Sequence, residues 1–259
     1  MKFLTINIIF SQVLNFINNW KLYFVISIPL IISIFLDYFF FYNTEKSFSD
    51  HTLSFLLVMF GYVITSIKIN RFVILEEKSP FYKVSISLIV KCFLLVLLLI
   101  LILAGPIYLI KIIMDGTKEL WDATMLDPSW FLFIAPIVGL IIVVIIAFFT
   151  TIFAYPIFVI LFPKIAIGEK IIVKETFKQS KGFRLSMYLQ VILLFATWLL
   201  VDTIYFALMH ISNLLDQFEI YFFLLNDMFL DVPFFVLIMS CLSKTYLMTK
   251  EKNLTKVEK

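Results

Sequence analysis

"FPKIAIGEKIIVKETFKQSKGFR", residues 162–184, is a polar interruption in a chain that is otherwise mostly apolar. It carries six basic side chains, Lys164, Lys170, Lys174, Lys178, Lys181 and Arg184, against two acids, Glu169 and Glu175. Long hydrophobic runs flank it on both sides. Which side of a membrane it occupies decides how often the chain crosses, and therefore the fold.

The membrane itself follows from composition. Of 259 residues 62% are hydrophobic and 15% charged, and the mean hydropathy is +1.04. A soluble domain has about half apolar and about a quarter charged residues. A span needs about 20 mainly apolar residues at about 1.5 Å rise each. Spans are expected at 22–42, 52–69, 87–110, 133–155, 186–211 and 228–248. Every polar stretch is shorter than a folding unit, so 1–259 reads as a single integral membrane domain.

The run from Trp130 to Phe162 poses the one choice. As a single helix its 33 residues would reach about 50 Å, against a hydrocarbon core of about 30 Å. Divided, each half would be too short, and no turn-former stands at the middle of the run, Gly139 lying near its front. Charge decides between the two. With six spans and the N-terminus inside, 18 of the 21 basic residues face the cytoplasm, leaving Lys46, Lys111 and Lys118 outside. Dividing the run would put 162–184 outside and break that bias. The positive-inside rule therefore favours one span, extended along the inner surface, and six spans with both termini cytoplasmic. The fold class is an all-α polytopic bundle.

Interfacial helices complete the expectation. Phe3, Ile6, Phe10, Val13, Phe16, Ile17 and Trp20 recur at near-helical spacing, with Asn15, Asn18 and Asn19 largely off that face. This predicts an amphipathic helix on the cytoplasmic surface, retained rather than cleaved, with Trp20 at headgroup level. Glu169 to Lys181 is likewise helix-compatible, with Gly182 placed as its C-terminal cap. Its lysines, Lys170, Lys174, Lys178 and Lys181, with Arg184, suit anionic headgroups at about 1 kcal/mol each, or a protein partner docking on 164–184. "FSQVLNFINNWKLY" and "FKQSKGFRLSMY" share a Phe, a Gln, a basic residue and a Tyr ahead of a span, a faint sign of three-plus-three duplication.

Ionisable groups inside spans are candidate functional residues, since burying them costs several kcal/mol. Lys91 can snorkel to the inner boundary, Asp37 can reach the outer interface, and Asp231 before Pro233 is placed to cap the sixth helix. Asp202, in the outer half of the fifth span, has no such outlet and is the candidate for an ion or proton path. The two cysteines, Cys92 and Cys241, fall in apolar runs without a spaced framework, so neither a disulfide nor a thiolate metal site is expected. His51 and His210 are far apart, no GxxxxGK[ST], HExxH or GxSxG pattern occurs, and no cofactor or metal is expected. A net charge of +3 gives nucleic acid no footing.

"LFPKIAIGEKIIVKETFKQSKGFR" also resembles a pattern in a broad bacterial family of uncharacterised multi-pass membrane proteins. That family is related to the membrane domain fused to some glycerophosphodiester phosphodiesterases. The matching positions are Pro163, Ala166, Phe177, Ser180, Gly182 and Arg184, supported by "RFVILEE" at 71–77 and "FSQVLNFINNWKLY" at 10–23. The resemblance implies a membrane module without catalytic residues; the phosphodiesterase domain has no counterpart here. A second, looser resemblance is to the cytoplasmic loop of ABC importer permeases. Glu175 precedes Gly182 by seven residues where six is usual, Thr176 and Phe177 replace alanines, and Phe195 stands where Pro is expected. The expected function is a non-catalytic inner-membrane protein in envelope organisation or lipid-associated scaffolding. Membrane transport, as a permease subunit or a carrier, is the alternative.

Overall fold

The computed structural model describes residues 2–41, 48–77, 84–101, 141, 145, 158–180, 183–211 and 224–257. All regular structure among them is helical. In chain order these are α1 (Lys2–Asn18), α2 (Trp20–Phe41), α3 (Phe48–Leu75), α4 (Ile86–Leu101), α5 (158–166), α6 (Val173–Ser180), α7 (Arg184–Ile211), a π-helical turn (Asp227–Asp231) and α8 (Val232–Val257). Among the described residues four stretches are long and apolar enough to cross a membrane: Trp20–Phe40, Thr52–Leu75, Arg184–Tyr205 and Leu224–Glu251. They correspond to the first, second, fifth and sixth expected spans. Of the third span the described residues supply α4; the fourth, 133–155, and the 102–110 end of the third lie outside them apart from Ile141 and Ile145.

The chain divides into two compact units, 1–93 with 159–259, and 94–158. The described part of the second is the helical stretch 94–101 with positions 141, 145 and 158. Everything that follows concerns the first.

Why these helices associate is visible in which faces they bury. On α2, Tyr23, Ile26, Leu30 and Ile34 are buried, whereas Phe24, Ile28, Ile32, Phe35 and Phe39 are exposed. The buried set recurs every three to four residues, one stripe of a 3.6-residue helix, and the exposed set is a second stripe that only lipid suits. Since lipid is as apolar as the exposed face, close approach and polar contacts must hold the helices together. Gly61 of α3 supplies the close approach. A methyl group there would lie 2.0 Å from Ser33 Oγ and 3.0 Å from the Leu30 Cα, so only glycine lets α2 and α3 meet at this depth.

Polar contacts hold the remaining helices, and α8 is their common partner. Gln190 of α7 and Thr245 of α8 exchange hydrogen bonds, Gln190 Nε2 donating at 2.8 Å and Thr245 Oγ1 donating to Gln190 Oε1 at 2.9 Å. Ser243 Oγ donates to Asn70 Oδ1 of α3 at 2.9 Å. Thr5 of α1 and Ser186 of α7 share a bond of 2.8 Å. Such interhelical bonds contribute about 0.6 kcal/mol each in a membrane, so several are needed, and several are present. Tyr23, buried at the junction, receives Asn15 Nδ2 at 3.0 Å and stacks edge-on against Phe72 at 5.1 Å.

One expectation needs correction. The second span was expected to end at Ile69. The helix continues to Leu75, where Asn70 is paired with Ser243 and with the Ser66 carbonyl, and Arg71 with Glu77. Helix α1 turns Thr5, Ile8 and Gln12 inward and leaves Ile6, Phe10 and Ile17 exposed, with Asn15 away from that exposed stripe and bonded to Tyr23.

The pairings Ser33–Gly61 with Asp37–Ser54, and Gln190–Thr245 with Trp198–Asp231, run in opposite chain order. Neighbouring spans are therefore antiparallel and the bundle has two distinct polar ends. One gathers α1, the end of α3, α5, α6 and the end of α8. The other gathers the end of α2, the start of α3, the C-terminal half of α7 and the π-turn.

Candidate functional site

At the first end, sequence and backbone geometry together place the charges. Helix α5 closes in a Schellman motif: Gly168 N–H reaches the Ile165 carbonyl at 2.9 Å and Glu169 N–H the Lys164 carbonyl at 2.8 Å. Gly168 has φ +80°, a conformation that side chains with a Cβ rarely adopt. The motif throws Glu169 back toward α8, where it accepts from Tyr246 Oη and from Lys250 Nζ, both at 2.5 Å. Burial raises the Glu169 carboxyl, but donation from Lys250 and Tyr246 outweighs it and holds the group below the usual glutamate range. Arg71 grips Glu77 with two bonds of 2.9 and 2.6 Å and reaches the Ala166 carbonyl at 3.4 Å, one of the carbonyls left open at the end of α5. "RFVILEE" and "PKIAIGE" are thus pinned together.

Lys164 is buried, with Nζ 3.5 Å from Thr176 Oγ1. Burial pushes its ammonium down; Glu169 and then Glu175 oppose the shift, while Lys250 adds to it.

The candidate docking residues then separate. Lys170, Lys174 and Lys178 are exposed, together with Ile171, Ile172, Val173 and Phe177. Arg184 is engaged: its guanidinium lies 4.3 Å over the Phe177 ring and Nε donates to Ser180 Oγ at 3.1 Å. Lys181 and Gly182 lie outside the described residues. Among the described residues the helix is Val173–Ser180; it starts four residues later than Glu169, since 169–172, after the turn at Gly168, carry no regular structure. Lys174 and Lys178 therefore share a helical face, and Lys170 precedes it.

The second end is acidic. Asp202 of α7 accepts from Asn226 Nδ2 at 3.2 Å, and one turn earlier Trp198 Nε1 donates to Asp231 Oδ1 at 2.7 Å. These two rungs tie α7 to the π-turn. Asp227 is hydrogen-bonded by Tyr38 and Asp231, and Asp37 accepts from Ser54 Oγ. Asp231 was expected to cap the sixth helix. Instead the helical path already runs through 224–226 and the π-turn, with Val232 N–H bonded to the Asp227 carbonyl, and the Asp231 side chain is taken up by an indole. Asp37 likewise meets a serine of α3. His210, two turns beyond Asp202, has its side chain outside the described residues.

No family model matches this chain, and neither a curated protein nor a solved structure does. The reading of both ends therefore rests on their chemistry.

Sequence reasoning found Asp202 but not Asn226, Trp198 or the Asp227–Asp231 contact, whose partners lie on different helices. Gly168 was legible: a glycine after an apolar helical run, followed by an acid, is a C-cap signal. Both thiols, Cys92 and Cys241, are buried and free.

Proposed function

We propose that this protein is a non-catalytic, multi-pass protein of a bacterial inner membrane that holds anionic lipid at its basic end, in an envelope-organising or scaffolding role. The observation that carries the reading is the exposed stretch 170–178, in which Lys170, Lys174 and Lys178 alternate with Ile171, Ile172, Val173 and Phe177. Bare apolar side chains beside bare ammonium groups suit neither water nor the hydrocarbon core. They suit the headgroup boundary, where the apolar chains enter the acyl region and the lysines meet phosphate. Exposed Ile6, Phe10 and Ile17 on α1 and Trp20 at the start of α2, at the same end, extend that surface. In this reading the chain has six spans with both termini cytoplasmic, and the resemblance to the membrane domain associated with glycerophosphodiester phosphodiesterases fits a module of this kind.

The test is lipid retention by the purified protein in nanodiscs of mixed phosphatidylglycerol and phosphatidylcholine. At about 1 kcal/mol per lysine, reversing Lys170, Lys174 and Lys178 to Glu lowers phosphatidylglycerol enrichment more than tenfold, and raising salt does the same. Unchanged enrichment in the triple variant overturns the reading. Retention of an ATPase in place of lipid, lost in the same variant, makes the stretch a coupling loop and the protein a transport subunit. Transport by a carrier is the second reading, favoured by the carboxylates gathered at the opposite end.

A further inference from the structure

Helix α6 meets the rest of the protein the wrong way round for a short surface helix. Its buried residues are two hydroxyls, Thr176 and Ser180, and both are spent locally. Thr176 Oγ1 donates to the Ile172 carbonyl at 3.0 Å and Ser180 Oγ to the Phe177 carbonyl at 2.8 Å. Its apolar side chains, Val173 and Phe177, are 57% and 42% exposed.

At about 100° per residue the other positions sort into three flanks. Val173 and Phe177 lie to one side of the buried pair, Glu175 and Gln179 to the other, and Lys174 and Lys178 opposite it. An apolar flank facing a polar one fixes how the helix meets a bilayer: Val173 and Phe177 toward the acyl chains, Glu175 and Gln179 toward water. The lysine pair between them then falls at the level of the phosphates. Arg184, over the Phe177 ring at 4.3 Å, holds the apolar flank in place.

Lys174 and Lys178 stand one helical turn apart, where Cβ atoms are about 5–6 Å from each other and like charges repel. Among the described residues neither enters an ion pair; the two ion pairs found there are Arg71–Glu77 and Lys250–Glu169. An anion that touches both ammonium groups relieves the repulsion. A lipid with one phosphate must divide it between the two lysines or bring a second copy, and each copy loses its own translational freedom. A lipid with two phosphates on a three-carbon bridge loses that freedom once. Its second phosphate then meets the second lysine at high effective concentration. Its acyl chains enter beside Val173 and Phe177.

We propose that the Lys174–Lys178 face of α6 is a binding site for a lipid whose headgroup carries two phosphates, the class of diphosphatidylglycerol, in preference to lipids that carry one. The proposal rests on the lipid reading of the basic end and names the lipid class within it.

The experiment places the full chain in phosphatidylcholine nanodiscs that contain diphosphatidylglycerol and phosphatidylglycerol together at equal phosphate. The protein is then moved to detergent and the lipids it retains are counted by mass spectrometry. Diphosphatidylglycerol is expected to be enriched about tenfold over phosphatidylglycerol per phosphate. The double variant Lys178→Gln with Gln179→Lys keeps the net charge but takes the second ammonium off the flank of Lys174, and the ratio falls to about one. Lys170→Gln, outside the pair, lowers retention of both lipids and leaves their ratio as it was. All four positions are exposed or half-buried, and matching melting curves show that the variants are folded. Equal retention per phosphate, with both lipids still enriched over phosphatidylcholine, overturns the two-phosphate site and leaves the lipid reading standing. Enrichment of neither overturns both. An undiminished ratio in the charge-shifted variant also overturns the site, because net charge then accounts for the preference.

Discussion

The two ends of the bundle solve the same problem in opposite ways. Each must keep charge beside a hydrophobic slab. At the basic end, acids meet cations: Arg71 holds Glu77 with two bonds and Lys250 meets Glu169, and these contacts pin α3, α5 and α8 to one another. At the acidic end the neutral donors Trp198, Ser54 and Asn226 orient Asp231, Asp37 and Asp202, and Asp227 and Asp231 hydrogen-bond to each other, which takes a proton between them. Paired charge fixes architecture at one end, whereas neutral donors and a shared proton hold the carboxyl groups at the other. The difference in partners separates the two ends better than the number of charges does.

That contrast can be broken in graded steps, each read as thermal unfolding of the protein in detergent. The largest effect is expected where both ends share a scaffold. Gly61→Leu forces a side chain into Ser33 and the α2 backbone, costing about 3 kcal/mol and disturbing both ends together. Next comes Arg71→Met, which strips Glu77 of two charge-assisted bonds and leaves the Ala166 carbonyl open; about 2 kcal/mol is expected, with the acidic end undisturbed. Trp198→Phe is the mirror experiment. It removes the indole donor from Asp231 for about 1.5 kcal/mol, and Asp231→Asn, which keeps an acceptor, costs less. If the losses from Trp198→Phe and Arg71→Met do not add in the double variant, the two ends are not independent and the contrast is wrong.

Smaller effects sharpen the basic end. Gly168→Ala places a Cβ at φ +80°, costing about 1–2 kcal/mol with further loss as Glu169 swings away from Tyr246. The smallest effect is on pH. Donation from Lys250 and Tyr246 overcomes burial and leaves Glu169 with a folded-state carboxyl below its unfolded value. Its contribution is therefore complete above the unfolded value of about 4.3 and is lost as pH falls through the lower folded value. Glu169→Gln should flatten that acid limb of the stability profile; an unchanged limb would assign it to other carboxylates.

The sequence showed a membrane protein because that is a local property: about 20 apolar residues in a row have few other places to go. It located the first, second, fifth and sixth runs within a few residues of the helices formed, and it marked Lys174, Lys178 and Asp202 as charges that need explaining. It misjudged the end of α3 because Asn70 and Arg71 look like loop residues until their partners, Ser243 and Glu77, are known. It misjudged Asp231 for the same reason, since nothing near position 231 announces Trp198.

What the sequence determined by itself, then, is the solvent in which the chain folds and which segments meet it, both set by hydropathy read along the chain. What only the tertiary structure decided is which charges are cancelled and which are merely held. Holding depends on a donor 33 residues away, as at Trp198–Asp231, and cancellation on one 81 residues away, as at Lys250–Glu169. Hydrogen bonds reach about 3 Å, so the distinction exists only once the helices have packed.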